Sequence, residues 1–335
     1  MISVLFPIMM TAAQYSVERV QVDGIEVVRL VDPGHKTQVS IVPSVGNIAY
    51  DMKVNGKSIL YFPYSGLREF RAKPGLCGVP FLAPWANRLD QMAFFANGKK
   101  YAFNPDLGNV KPDGNGLPIH GLISFSNLWE VVDANADDKD AHVTSRLEFW
   151  KHPDLMAQFP FAHTIEMTYR LRGGELEVET ALRNLSADPM PVSIGFHPYF
   201  QLDDAPRDQW KAHLPAREHV LLSKVLTPTG ERKKMDLPDP FPLAGAQLDD
   251  VFTGLEPNAE FSVQGAREKI TVIYGAKFPV AVVYAPAGKS FICFEPMTGL
   301  TNAMNLHHAG KYPELQIVKP GTEWRGSFRI QPSGF

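Results

Sequence analysis

The sequence predicts an all-β protein, a large antiparallel β-sandwich. Three observations carry that expectation. Apolar and polar residues alternate with a period of two in many short runs, helical periodicity is scarce, and the 28 prolines and 26 glycines are spread along the chain rather than gathered in one linker. At 335 residues the chain exceeds an average domain, but large β-sandwiches commonly run past that size as one unit. An apolar fraction of 44% and a charged fraction of 21% belong to a folding globular chain and argue against disorder or a fibrous class.

Taken in chain order, residues 1–16 read as an N-terminal extension and 17–335 as a single β-sandwich domain. The opening Met1 to Ala13 resembles the apolar region of a secretory signal, yet it lacks a basic start and contains Pro7; a start over-extended ahead of Met9 or Met10 explains it equally well. The cytoplasm is the expected location, with export left open. Val17 to Leu30 then reads as a hairpin turning at Asp23-Gly24, and Thr37 to Val42 as a further strand. His142 to Trp150 alternates. Thr164 to Leu171 does so more cleanly, with Ile165, Met167, Tyr169 and Leu171 on one side; Gly173-Gly174 turns it into the run from Glu175 to Thr180, an antiparallel hairpin with one wet face. Asp203 to Asp250 is rich in Pro and charge and reads as long surface connections with at most short helical turns. Lys269 to Tyr274, Val280 to Tyr284 and Trp324 to Ile330 complete the expected strands.

Several function classes are excluded. A formal net charge of -3, with no basic cluster longer than Arg232-Lys233-Lys234, leaves no footprint for nucleic acid. No run reaches the ~18 apolar residues of a membrane span. Two cysteines, Cys77 and Cys293, are too few for a disulfide scaffold and read as buried free thiols. Gly-x-Ser-x-Gly, Walker A and His-Glu-x-x-His motifs do not occur; Gly114-Asn-Gly lacks the third glycine of a dinucleotide loop. His307-His308, read as a strand or loop pair, would point to opposite sides and not share a metal.

What remains are polar islands in apolar company: Asn87-Arg88, His120-Gly121, His197-Pro198, and Glu295 inside Phe-Ile-Cys-Phe-Glu-Pro. Charges seldom sit among bulky apolar residues without a partner or a task. Their surroundings run in the order Gly78-Val-Pro to Pro84-Trp-Ala-Asn-Arg, Asn115-Gly-Leu-Pro-Ile-His-Gly, Gly195-Phe-His-Pro-Tyr-Phe, Leu248-Asp-Asp-Val-Phe, the Glu295 strand, and Lys319-Pro-Gly-Thr-Glu-Trp.

Six motifs in this order resemble the aldose 1-epimerase family, the galactose mutarotases, from about Val17 to the end. The resemblance implies the galactose mutarotase-like supersandwich, a neutral hexose as the small-molecule partner, and acid–base ring opening without metal or cofactor. It matches Glu295 to the catalytic base and His197 to the acid that protonates the ring oxygen. An imidazole pKa near 6.5 suits that exchange. It also matches His120, Arg88 and Asn87 to substrate contacts, and Asp249 to a hydroxyl acceptor with Asp250 as the alternative one position on. Phe294 and Ile292 are expected to desolvate Glu295, and Trp85 and Phe294 to offer apolar walls. The form Glu295-Pro-Met-Thr departs from the common Thr-Gln continuation, and oligomeric state is undecided. The rival readings are a non-catalytic sugar-binding protein, a sugar-phosphate mutarotase, and a glycoside hydrolase or lyase on a related sandwich.

Overall fold

The computed structural model describes residues 15–335. Of the expected extension, residues 1–14 lie outside the described residues; Ser16 opens the first strand, and the Tyr15 hydroxyl accepts from the Gly173 N–H at 2.9 Å.

Two large antiparallel sheets dominate. The nine-stranded one runs, edge to edge, through Phe241–Pro242, Lys211–His213, Ala259–Gln264, Lys269–Tyr274, Glu323–Ser333, Glu175–Asn184, His163–Arg172, Ala141–Glu148 and Glu130–Ala136. The eight-stranded one runs through Pro228–Lys234, Glu218–Leu222, Leu248–Thr253, Val280–Ala285, Ile292–Met297, Gly195–Phe196 and Phe81–Leu82, with Tyr199–Phe200 also paired to Ile292–Met297. A five-stranded sheet covers Ser16–Val22 to Lys57–Ser58. The large sheets meet through aromatic side chains: Phe294 faces Phe261 at 6.1 Å, and Phe196 faces Phe328 at 4.8 Å between ring centres. Each such ring, fully buried, contributes ~1.5–3 kcal/mol relative to exposure.

Local sequence explains most of these elements. Ile165, Met167, Tyr169 and Leu171 are all buried while the residues between them are not, as a half-covered sheet requires. Gly173 and Gly174 both adopt positive φ, 59° and 75°, the geometry a two-residue turn needs to match the twist of its strands.

Two expectations are corrected. Residues 203–250 are not long connections: they hold five strands, and the 3-10 turn Arg207–Gln209 is the helical element among them. The clearest reason is Pro228–Lys234, an edge strand exposed at six of seven positions. A proline start and a run of charges blunt an edge against foreign pairing and read as loop. His307 and His308 lie at the exposed end of the helix Ala303–His308, so the strand argument for their opposed directions does not apply. His308 stacks on Phe95 at 4.0 Å, and His307 bonds the Tyr312 carbonyl. Cys77 and Cys293 are buried free thiols. No helix among the described residues is long and apolar enough to cross a membrane.

Candidate active site

Strand register gathers the site. Asp249 pairs with Tyr284, Tyr284 with Cys293, and Val282 with Glu295, so Asp249, Tyr284, Cys293 and Glu295 share one face of the eight-stranded sheet. Asp250 falls on the other face, where its carboxylate meets His219 Nε2 at 2.9 Å. The alternative left open by the sequence therefore resolves to Asp249, because side chains alternate across a strand. His197 follows the short strand Gly195–Phe196 beside Glu295, and its backbone N–H donates to the Pro80 carbonyl at 3.1 Å.

Arg88 and His120 arrive from two loops tied together. Asn87 and His120 both adopt left-handed backbone, at φ 54° and 61°. That conformation is common for Asn but unusual for His, and such strain tends to collect where a side chain must be aimed. The His120 N–H donates to the Asn87 carbonyl at 3.0 Å, and the Leu122 N–H to the Ala83 carbonyl at 2.8 Å. A Cβ at Gly121 would lie 2.0 Å from the Ala83 oxygen, so only glycine permits this approach.

The six residues singled out in the sequence meet. Arg88, Asn87, His120, His197, Asp249 and Glu295 line one cavity of about 210 Å³, together with Leu76, Tyr199 and Tyr284. His197 Nε2 stands 3.2 Å from Glu295 Oε1, and both residues are buried. The His197 ring lies flat on Tyr199, with centres 4.6 Å apart and planes 7° off parallel, which fixes the imidazole. Glu295 Oε2 and the Nδ1 atoms of His120 and His197 are buried without a hydrogen-bond partner in the protein. Buried polar atoms left in this way are ready to meet a ligand.

Electrostatics follow from burial. Desolvation pushes the Glu295 carboxyl well above the usual carboxylate range; nearby Asp249 adds to the rise and Arg88 opposes it. Desolvation, helped by Arg88, lowers His197 to about 3, and lowers His120 with contributions from His197 and Arg88. Burial also raises Asp249, against the pull of Arg88, whose Nη2 is 3.8 Å from its carboxylate.

Sequence reasoning missed Asp113, Tyr199 and Tyr284. Asp113 accepts from Arg88 Nε at 2.8 Å with one oxygen and from the Asn115 and Leu117 N–H groups with the other. Although desolvation works against it, those bonds hold Asp113 below the usual carboxylate range. The guanidinium is thus held from behind by Asp113 while Asn87 Oδ1 accepts from its Nη1 at 3.0 Å. A carboxylate just before Gly114-Asn-Gly was the available signal. Tyr199 stood inside a motif already quoted.

Two expected walls are core instead. Trp85 is fully buried against Phe103, and Phe294 packs on Phe200 and Phe261, since its strand position turns it away from Glu295. Phe294 and Ile292 do not cover the carboxylate either. Its neighbours on the cavity face are Cys293, Met297 and the paired Val282, which supply the apolar surroundings.

Comparison with known proteins agrees with this architecture. The family model described as aldose 1-epimerase matches residues 26–331. The uncharacterized protein YphB of Escherichia coli K12 is 24% identical over 251 residues, 72% of this chain and 78% of that protein. A galactose mutarotase-like protein from Clostridium acetobutylicum superposes with a TM-score of 0.85 at 21% identity, covering 96% of this chain and 99% of the other. The Slr1438 protein of Synechocystis sp. PCC 6803 superposes with a TM-score of 0.73 at 25% identity, covering 99% and 100%.

Proposed function

The chain belongs to the aldose 1-epimerase family, and on that premise we propose that it interconverts the α and β anomers of a neutral hexose, with Glu295 as base and His197 as acid. One observation carries the reading: the carboxylate and imidazole stand 3.2 Å apart in a cavity of about 210 Å³ that Arg88, His120 and Asp249 also line. That volume falls below the ~300–1,000 Å³ of drug-sized sites and suits a single sugar ring.

The chemistry needs one group to remove a proton and another to deliver one. Glu295 takes the proton of the C1 hydroxyl while His197 protonates the ring oxygen. The bond from C1 to the ring oxygen breaks, and C1 becomes an aldehyde carbon. Rotation about C1–C2 presents the other carbonyl face, and the reversed transfers reclose the ring as the opposite anomer. No atom is gained or lost, and the enzyme returns to its starting protonation.

The opposed shifts suit this task. With Glu295 raised and His197 lowered, the pair holds one proton between its members near neutral pH. When that proton sits on His197, carboxylate and imidazolium stand together, and a desolvated carboxylate is the stronger base. Arg88, braced by Asp113, donates to sugar hydroxyls; Asp249 accepts from them; half-exposed Tyr284 covers a C–H face. A dianionic phosphate would call for several cations, and Arg88 is the one guanidinium or ammonium lining the cavity.

Polarimetry of freshly dissolved α-glucose and α-galactose tests the proposal. Wild type should hasten the approach to equilibrium, and Glu295→Gln should lower kcat by ~10²–10⁴-fold. Sugar binding without acceleration would make the protein a binding module. Release of reducing ends from oligosaccharides would make it a hydrolase.

A further inference from the structure

Beside the small cavity lies a larger one of about 450 Å³, and Leu76 and His120 form a wall common to both. Ring opening of a hexose uses only the smaller space. The larger one is built into the fold. The Ser124 hydroxyl bonds the His120 carbonyl at 3.0 Å, and the Gly46 N–H bonds the Ser126 carbonyl at 2.8 Å. A Cβ at Gly46 would meet the Ser124 oxygen at 2.0 Å, so that loop is held close. On the opposite side Asn109 Nδ2 bonds the Asp154 carbonyl at 3.1 Å, and Gln158 fixes Asn109 at 2.7 Å.

The lining describes its occupant. Leu122, Phe125, Leu128 and Leu155 give an apolar interior, while Lys111, Asn127, His152 and Asp154 give a polar rim with no excess of one sign large enough to select an ion. Lys111 Nζ lies 4.7 Å from the centre of the Phe125 ring, a donor beside an apolar wall. An apolar wall with donors and acceptors at its border suits a pyranose, which has C–H faces and a hydroxyl perimeter. Mutarotation requires a free hydroxyl at C1, so any large substituent must leave the ring elsewhere. His120, which separates the cavities, is a positioning contact in the proposed reading and not the base at C1.

We infer that the protein takes a reducing disaccharide, its reducing ring in the small cavity and its second, neutral ring in the cavity beyond His120. The inference rests on the mutarotase reading for its orientation and deepens it by naming a substrate class. The second ring adds binding remote from the reacting bond, which lowers KM more than it raises kcat.

Anomer-exchange NMR on glucose, galactose, maltose, lactose and melibiose tests this with wild type, Asn127→Trp and Lys111→Ala. Both altered residues are exposed and outside the proposed catalytic set. At least one disaccharide should be turned over with kcat/KM no lower than its free reducing hexose. Asn127→Trp, which fills the larger cavity, should lower that value ~10-fold or more while free hexoses stay within about twofold. Lys111→Ala should act in the same direction and more weakly. Equal effects on hexose and disaccharide, or no effect on either, would overturn the inference. If wild type exchanges no sugar at all, the mutarotase reading fails separately. Titration calorimetry of the same disaccharides then decides the subsite: tighter binding to wild type than to Asn127→Trp supports it, and equal or absent binding defeats it.

Discussion

Along His163–Arg172 in the nine-stranded sheet, buried and half-exposed residues alternate, whereas Ile292–Met297 in the eight-stranded sheet buries all six of its residues. The first strand leaves one face to water. The second is covered on both, by the facing sheet on one side and by the loops of the cavity on the other. A glutamate therefore means different things in the two places. Glu166 pairs with Arg146 at 2.7 Å near the surface, where solvent weakens the attraction, while Glu295 meets His197 at 3.2 Å out of water. One sheet uses its polar residues to stay wetted and the other uses them for chemistry at the expense of stability.

That contrast can be broken by mutation, and the largest effect should fall on activity. Glu295→Gln should reduce kcat by ~10²–10⁴-fold yet not lower the melting temperature at neutral pH. The sign follows from linkage. The folded carboxyl titrates well above 4.5, so the unfolded chain binds fewer protons above that pH, and stability falls as pH rises. Gln removes that penalty. Thermal melts at pH 5 and pH 8 should show the variant gaining on wild type at the higher pH; a variant that loses ground there would refute the assignment of strain to Glu295.

Next in size, Met167→Ala in the nine-stranded sheet should cost ~2–5 kcal/mol in denaturant unfolding with kcat unchanged. Loss of activity in the folded variant would dissolve the distinction between the sheets.

Histidines sharpen the comparison. His163 is buried on Phe149 with its Nδ1 on the Phe161 carbonyl, and desolvation lowers it to about 4 despite that bond. The native state then binds fewer protons than the unfolded chain between about pH 6.5 and 4, so stability is lost as pH falls through that window. His197 acts in the same direction over about 6.5 to 3. His163→Phe should flatten the acid slope of unfolding free energy by up to ~3 kcal/mol and leave turnover intact. The smallest effect belongs to Arg146→Ala, whose exposed pair should be worth less than ~1 kcal/mol and vanish in high salt.

Legibility in the sequence divides along the same line. Ile165 to Leu171 could be read because water on one face imposes alternation, and the glycine turn behind them because few residues accept its φ values. Ile292–Met297 carries no alternation, yet Glu295 stood out as the one charge in an apolar run. Asp249 and Asp250 could not be ranked until pairing with Tyr284 set their faces. Phe294 and Trp85 were misjudged as walls because being near a catalytic residue in sequence says nothing of direction across a sheet. Asp113 acts only through Arg88, from a loop whose closure no local pattern announces. Pro228–Lys234 hid because protection against aggregation and absence of structure draw on the same residues.

The seam where the Leu122 amide meets the Ala83 carbonyl, with bare Gly121 between, lies within a few residues of both His120 and Arg88. The two loops behave there as jaws on one rivet. A methyl group inserted at that point would pry them apart together, so the spacing of imidazole and guanidinium is a single mechanical setting held by a residue with no side chain of its own.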